Sequence, residues 1–470
     1  KFAGEVDAFE ALDAVKRHYR IDDNLIAVRG FSMGGAAAWH FAVHHADKWF
    51  AANPGAGFSE TPDFLRTFQG ETLKPTWWEE KLWHLYDCTD YAINLANLPT
   101  IAYSGADDRQ KQAADIMARA LTKEGMTLTH IIGPATAHKF EKGAAEEVEH
   151  RMSSLAAVGR DTMPYKISFV TYTLKYNRMH WLRIDEMNEH WEQARIEAEF
   201  TSEYIADQLV DAFEVKTKGI AAFTIDVKPG ALYLDSRNRA MARIDGQEIV
   251  GLVIETDRSM RVTFHRDGTR WKVGPRPAES GVVRKKRDLQ GPIDDAFMDS
   301  FIFVRPTGKA RNESVGKWTT SELDRAIEQW RRHFRGEARV KDDTAISDAD
   351  IAKANLVLWG DPSSNAVMKR IADKLPIKWT EQAIAVGGSN YNPADHALIA
   401  IYPNPLNPQR YVVLNSGFTF REYAHLNNAR QVPMLPDWAV VDLNTPPNSI
   451  WPGKVVDAGF FDESWQVKKK

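Results

Sequence analysis

The chain has one cysteine, Cys88, in 470 residues, so no intrachain disulfide can form and its redox compartment is undetermined. No segment approaches the ~20 uninterrupted apolar residues of a membrane-spanning helix. Neither sign of charge is in excess: 60 Lys and Arg stand against 64 Asp and Glu. A net charge of -4 gives no electrostatic reason to expect nucleic-acid binding. The short basic run Arg284-Lys285-Lys286-Arg287 reads as a solvated linker. No cofactor is indicated, because a phosphate-binding glycine loop is missing and no carboxylate-histidine spacing suggests a metal. His44 and His45 are adjacent, which points their rings apart on a helix, and Gly387-Gly388 marks a turn. What is present is an ordinary globular composition, 43% hydrophobic, in a chain long enough for roughly two to four domains.

The most informative stretch is Gly30-Phe31-Ser32-Met33-Gly34-Gly35. It follows an apolar, strand-like run at 25–28 and leads into an Ala-rich helical run at 36–46. Strand, Gly-x-Ser-x-Gly, helix is the context of a nucleophile elbow. The turn is tight, and Gly30 and Gly34 are expected to relieve a clash between flanking positions. Ser32 would then project its hydroxyl from the carboxyl edge of a sheet, with the Met33 amide aimed at a developing oxyanion.

Partners should follow in the order Ser, Asp or Glu, His, each in a loop after a later strand. The run 98–103 reads as a buried strand, and Ser104-Gly105-Ala106-Asp107-Asp108 is the loop after it. Residues 110–124 have helical spacing, with Ala113, Ile116, Met117, Ala120 and Leu121 on one face. Residues 127–132 form the next strand, Gly133 to His138 its loop, and 142–157 a closing helix. A serine hydroxyl needs a base to become a nucleophile, and the imidazole of His138 is suited to that role. A carboxylate then fixes the imidazole tautomer. Asp107 and Asp108 are adjacent, so one faces His138 while the other caps the helix that begins near Arg109.

On the elbow, Gly105-Ala106-Asp107-Asp108, the 133–138 loop and the helix beginning Gly4-Glu5-Val6-Asp7, residues 1–160 resemble part of an α/β-hydrolase. The resemblance is to the C-terminal part of a prolyl oligopeptidase-like catalytic domain. In that family the acid stands three places after the loop glycine, which implies Asp108. The resemblance also implies a serine hydrolase acting through an acyl-enzyme, on a small-molecule, peptide or polymer-linked ester substrate. Serine-type peptidase and carboxylic-ester hydrolase, of the acetyl or feruloyl esterase type, both fit. A non-catalytic binding protein with a vestigial hydrolase fold is the rival from another class. Ala137 departs from the family, where glycine is common before the histidine. Only one helix and one strand precede Ser32, so the N-terminal strands of the domain are expected to be missing. The second oxyanion donor would be missing with them, at a cost on the order of 3–4 kcal/mol, leaving this polypeptide nearly inactive. The stripe Val6, Phe9, Leu12, Val15 and Tyr19 would then lack an earlier element to pack against.

Beyond the hydrolase portion, 164–274 reads as a β-rich, sandwich-like domain. Its strands are 166–174, 220–227, 241–244, 248–253, 261–265 and 270–273, with hairpin turns at Asp245-Gly246 and Asp267-Gly268. A helix is expected over 186–199. Residues 275–295 read as a linker to a second α/β domain, 296–470, of unassigned role. There the strands are 301–304, 355–359, 397–402 and 411–414, and the helices 321–334 and 366–375. The loop 360–365 reads as a plain N-capped turn. The insertion 58–98 carries Trp77, Trp78, Trp83 and Tyr86. It is expected to cover the site, with Trp77, Trp78 and Arg109 in a substrate pocket. The tryptophan content and appended domains lean toward a secreted enzyme, while oligomeric state is unreadable.

Overall fold

The computed structural model describes residues 1–205, 208–232 and 239–468. The chain divides into two compact units, one of residues 16–73 and 84–279, the other of 1–15, 74–83 and 280–470.

The first of these contains a four-stranded parallel sheet. Its strands are β1 (Val28–Phe31), β2 (Ala52–Gly55), β3 (Ile101–Gly105) and β4 (Thr129–Gly133), adjacent in chain order. The helices within residues 1–160 are α1 (Ala3–His18), α2 (Met33–His44), α3 (Trp77–Trp83), α4 (Gln112–Lys123) and α5 (Lys142–Val158), of which α3 and most of α1 belong to the other unit. The first strand lies later than the apolar run at 25–28, because Asp22 caps a short turn at Asp23–Leu25. Pairing begins at Val28 opposite Ala52 and runs to Phe31 opposite Gly55, so β1 ends directly on the elbow. Phe50, Ala51, Ile101 and Tyr103 pack with Ala144, Val148 and Met152 of α5. All three loops that carry candidate residues leave carboxyl ends of parallel strands, where α/β sheets place their ligands.

The same unit contains two five-stranded sheets. One is ordered Arg270–Val273, Met260–Asp267, Ile220–Val227, Leu182–Met187, Arg178–Met179. The other is ordered Gln247–Val253, Arg239–Ile244, Gln208–Lys218, Ala194–Ile205, Lys166–Thr171. Both expected hairpins form. The helix expected over 186–199 does not: Leu182–Met187 and Ala194–Ile205 are strands. Ala194, Ile196, Ala198 and Phe200 are buried and alternate with Arg195, Glu197 and Glu199. The Glu and Ala content favours helix locally, and burial of one face at a period of two overrides it. Asn94 fastens the strand Lys166–Thr171 to α2. Its amide donates to Val43 O at 2.9 Å and Val170 O at 3.0 Å, and its carbonyl accepts from Val170 N at 2.8 Å.

The other unit is built on a seven-stranded mixed sheet. Val340–Asp342, Phe301–Arg305, Asn355–Leu358 and Asn407–Leu414 are mutually parallel. His396–Asn404, Trp438–Asp442 and Lys454–Gly459 extend it antiparallel. The longest helix, Glu313–Phe334, begins earlier than the expected 321. The loop 360–365 is a self-capped turn, with Asp361 Oδ1 accepting from Ser363 N and Ser364 N and Asn365 Oδ1 from Val367 N and Met368 N. The stripe of α1 is half-buried at Val6, Phe9 and Leu12 and exposed at Val15 and Tyr19. Its start does have a packing surface: Phe2 is buried 5.2 Å from Phe420, and Val6 lines a cleft with Phe297, Phe301 and Trp330.

Residues 275–295, expected to form a linker, are not all solvated. Leu289, Gln290, Ile293 and Asp294 are buried. Lys285, expected to be solvated, is wholly enclosed and donates to Asp437 Oδ2 at 2.8 Å, with both side chains 0% exposed. Its ammonium also lies 5.1 Å from the Trp465 ring. An enclosed pair contributes little net stability, but removing one member leaves a bare buried charge. Asp437→Ala alone is expected to cost about 3–5 kcal/mol. Lys285→Met combined with Asp437→Leu is expected to recover part of that loss, read as urea midpoints of the purified chain.

Candidate active site

Ser32 joins β1 to α2 with φ 57° and ψ -117°, a backbone conformation that costs a serine about 1–3 kcal/mol. The turn is held on both sides, since Ser32 N donates to Gly55 O at 2.9 Å and Ala36 N to Ser32 O at 3.0 Å. Serine commonly caps a helix through its hydroxyl, yet here Oγ makes no cap bond. It meets His138 Nε2 at 2.9 Å instead. The glycines that permit this geometry are not the pair expected. A methyl at Gly30 would stand 2.0 Å from Gly34 O, and one at Gly35 would stand 2.1 Å from Gly55 O. At Gly34 a methyl would meet nothing within 4 Å. Gly35 is required because α2 must pass directly over the end of β2.

His138 Nδ1 lies 2.8 Å from Asp108 Oδ2, and the Asp108 side chain is only 3% exposed against 40% for His138. The sequence reading divided two tasks between Asp107 and Asp108. In the structure Asp108 performs both: Oδ2 faces the imidazole while Oδ1 accepts from Gln110 N at 2.8 Å, capping the turn. Asp107 is exposed. Its backbone N donates to Thr136 O at 2.9 Å, and Ala106 N donates to Gly133 O at 2.9 Å, stitching the acid loop to the histidine loop. The two loops approach so closely that a methyl at Gly105 would stand 2.2 Å from the carbonyls of Thr136 and Ala137. Ala137 itself is exposed and has no positive φ, so alanine fits where the family commonly has glycine.

Met33 is the first residue of α2, so its amide lies at the positive end of the helix dipole beside Ser32. Arg109 lies with its guanidinium 4.8 Å from the Phe68 ring. Trp77 and Trp78 are the other two residues expected in a substrate pocket. Trp78 Nε1 donates to Met434 O at 3.2 Å and Trp77 stands edge-on to Phe460, both within the unit that holds the seven-stranded sheet.

Three aromatic residues that the sequence reading passed over form a chain that ends on the imidazole. Phe31 lies 4.8 Å from the His138 ring and 5.1 Å from Phe140, which stacks on Tyr103 at 4.2 Å. Gln110 was also missed; its Oε1 accepts from Gly57 N at 3.1 Å. The only available signal was proximity to the motifs: Phe31 sits inside the elbow and Phe140 two places after His138.

A second Ser-His contact, Ser104 Oγ to His130 Nε2 at 3.0 Å, lies on neighbouring strands. Ser104 is 0% exposed, and Asp115 is 3.9 Å from His130, so no carbonyl substrate reaches it. Burial also holds His130 below the usual imidazole range, which weakens it as a proton carrier. Among the described residues, no cluster of three or more His, Cys, Asp or Glu side chains could hold a metal ion. No described helix is long and apolar enough to cross a membrane.

A parallel sheet with a strained serine after a strand, followed by acid and histidine loops on later strands, defines an α/β-hydrolase segment. Residues 5–156 match the model of the prolyl oligopeptidase family, and the segment is similar to the serine hydrolases of that type. Among solved structures, the chain matches S-formylglutathione hydrolase (FrmB) from Staphylococcus aureus at 16% identity and TM-score 0.24, covering 32% of this chain and 61% of that one. It matches an S-formylglutathione hydrolase from Agrobacterium tumefaciens at 17% and 0.24, covering 32% and 54%. A ferulic acid esterase matches at 18% and 0.25, covering 31% and 58%. The chain thus spans between 54% and 61% of the length of these three proteins. No curated protein gives a significant match.

The elbow geometry separates its glycines. Gly30→Ala and Gly35→Ala are each expected to destabilise the chain by about 1–3 kcal/mol or more through backbone overlap. Gly34→Ala should melt within a degree or two of the parent, as checked by circular dichroism.

Proposed function

We propose that this chain carries a serine hydrolase site that cleaves an ester or amide through an acyl-enzyme. The observation that supports the reading is the continuous relay from Ser32 Oγ to His138 Nε2 at 2.9 Å and from His138 Nδ1 to Asp108 Oδ2 at 2.8 Å. Ser32 Oγ attacks the substrate carbonyl carbon as His138 Nε2 takes its proton. Asp108 holds the Nδ1 proton, fixes the tautomer, and stabilises the imidazolium that forms. The Met33 amide donates to the tetrahedral oxyanion. His138 then passes the proton to the departing alcohol or amine as the carbon-oxygen or carbon-nitrogen bond breaks. Water, deprotonated by the same imidazole, releases the acid and restores Ser32.

The exposed half of this relay is the half that must meet substrate, while the acid is shielded from water. That asymmetry favours acyl transfer over a purely structural hydrogen-bond network. Within the class, we assign the site to peptide or carboxylic-ester bonds, in keeping with the family that residues 5–156 match. Parallel assays with p-nitrophenyl acetate, a feruloyl ester and a proline-containing peptide amide separate these substrates.

A fluorophosphonate probe reports an activated serine even where turnover is slow, so it should label the chain at Ser32, and Ser32→Ala should abolish labelling. Asp108→Asn should leave the fold intact and lower kcat by about 10⁴-fold, since the wrong tautomer faces Ser32. Labelling that persists in Ser32→Ala, or Asp108→Asn turning over at the parental rate, contradicts the assignment.

A further inference from the structure

His138 is 40% exposed, so burial does not hold its ring. The Asp108 contact fixes one nitrogen and leaves the ring free to tilt about that bond. Something else must keep Nε2 on Ser32, and the segment just after the histidine is held in an unusual way. Tyr103, on β3, donates its hydroxyl to Lys139 O at 2.8 Å and accepts from Glu141 N at 2.8 Å. One phenol oxygen therefore clamps the backbone on both sides of Phe140. The Tyr103 ring stacks on Phe140, Phe140 touches Phe31, and Phe31 lies on the imidazole. The space for the hydroxyl is provided by Gly133 on β4, where a methyl would stand 2.6 Å from it. Burial raises the phenol above its ordinary range, so it stays protonated and keeps both bonds.

We propose that Tyr103 is a positioning residue for the hydrolytic site: its hydroxyl pins residues 139–141 and, through Phe140 and Phe31, sets the orientation of His138 toward Ser32. This deepens the serine hydrolase reading and rests on it. Tyr103 touches neither substrate nor the reacting atoms. It acts by keeping the imidazole in a near-attack orientation, where a displacement of about 1 Å costs on the order of 100-fold in rate.

The test is Tyr103→Phe in the full chain, which keeps the ring stack and removes only the hydroxyl. The rate of fluorophosphonate labelling at Ser32, and kcat on p-nitrophenyl acetate, should fall roughly 10- to 100-fold with KM nearly unchanged. The downfield proton resonance of the His138 Nδ1–H···Asp108 bond should broaden or shift, while the thermal melt stays close to the parent. Gly133→Ala, which displaces the hydroxyl from the opposite side, should reproduce the rate loss with Tyr103 intact. Parental labelling rates in Tyr103→Phe, or a loss that only tracks the unfolded fraction, overturn the role of Tyr103. If Ser32→Ala abolishes labelling in that same experiment, the hydrolase reading stands without it. A parental chain that the probe does not label overturns both.

Discussion

The backbone at residue 32 is the constraint on which this site depends. A positive φ at serine is unfavourable alone and persists only where neighbouring structure leaves no alternative. Here the alternatives are closed by two backbone contacts: the carbonyl of Gly34 against Gly30, and the carbonyl of Gly55 against Gly35. The first makes the turn tight enough to lift the hydroxyl off the helix cap. The second lays α2 across the end of β2, so the strain is tied to the whole parallel sheet. Ser32 Oγ is then presented to the His138 imidazole, which solvent can also reach.

The histidine and acid loops are positioned by the same kind of close approach. Gly105 lets the 133–138 loop lie on the 105–108 loop, and backbone hydrogen bonds from Ala106 and Asp107 join the two. Asp108 serves as helix cap and as partner to His138 with its two oxygens. One carboxylate thereby anchors the start of the helical segment and the orientation of the ring. Tyr103 and its aromatic neighbours complete the support from below. The polar relay is short, and most of the structure around it exists to fix three side chains relative to each other.

The serine, the histidine and their order were legible because a nucleophile elbow imposes residue types at fixed offsets on a strand-turn-helix pattern. Three of the four parallel strands were legible for a related reason, being short apolar runs each followed by a loop, whereas β2, Ala52-Asn53-Pro54-Gly55, has no apolar run to mark it. What escaped was set by contacts between distant residues. Lys285 looks solvated until Asp437, 152 residues away, is placed against it. Gly35 looks like a spare helix glycine until Gly55 is known to lie beneath it. Tyr103 is one aromatic in a buried strand, and its hydroxyl gains meaning only once 139–141 folds over it. Residues 194–200 carry helix-forming side chains, and only sheet pairing reveals their alternation.

The most direct measurement of the central claim is a rapid acid quench of the 470-residue chain mixed with p-nitrophenyl acetate, followed by peptide mass mapping. The account expects an acetyl group on the peptide that contains Ser32, formed with a stoichiometric release of p-nitrophenol. Acetyl on another residue, or p-nitrophenol release with no acyl adduct at Ser32, would contradict it.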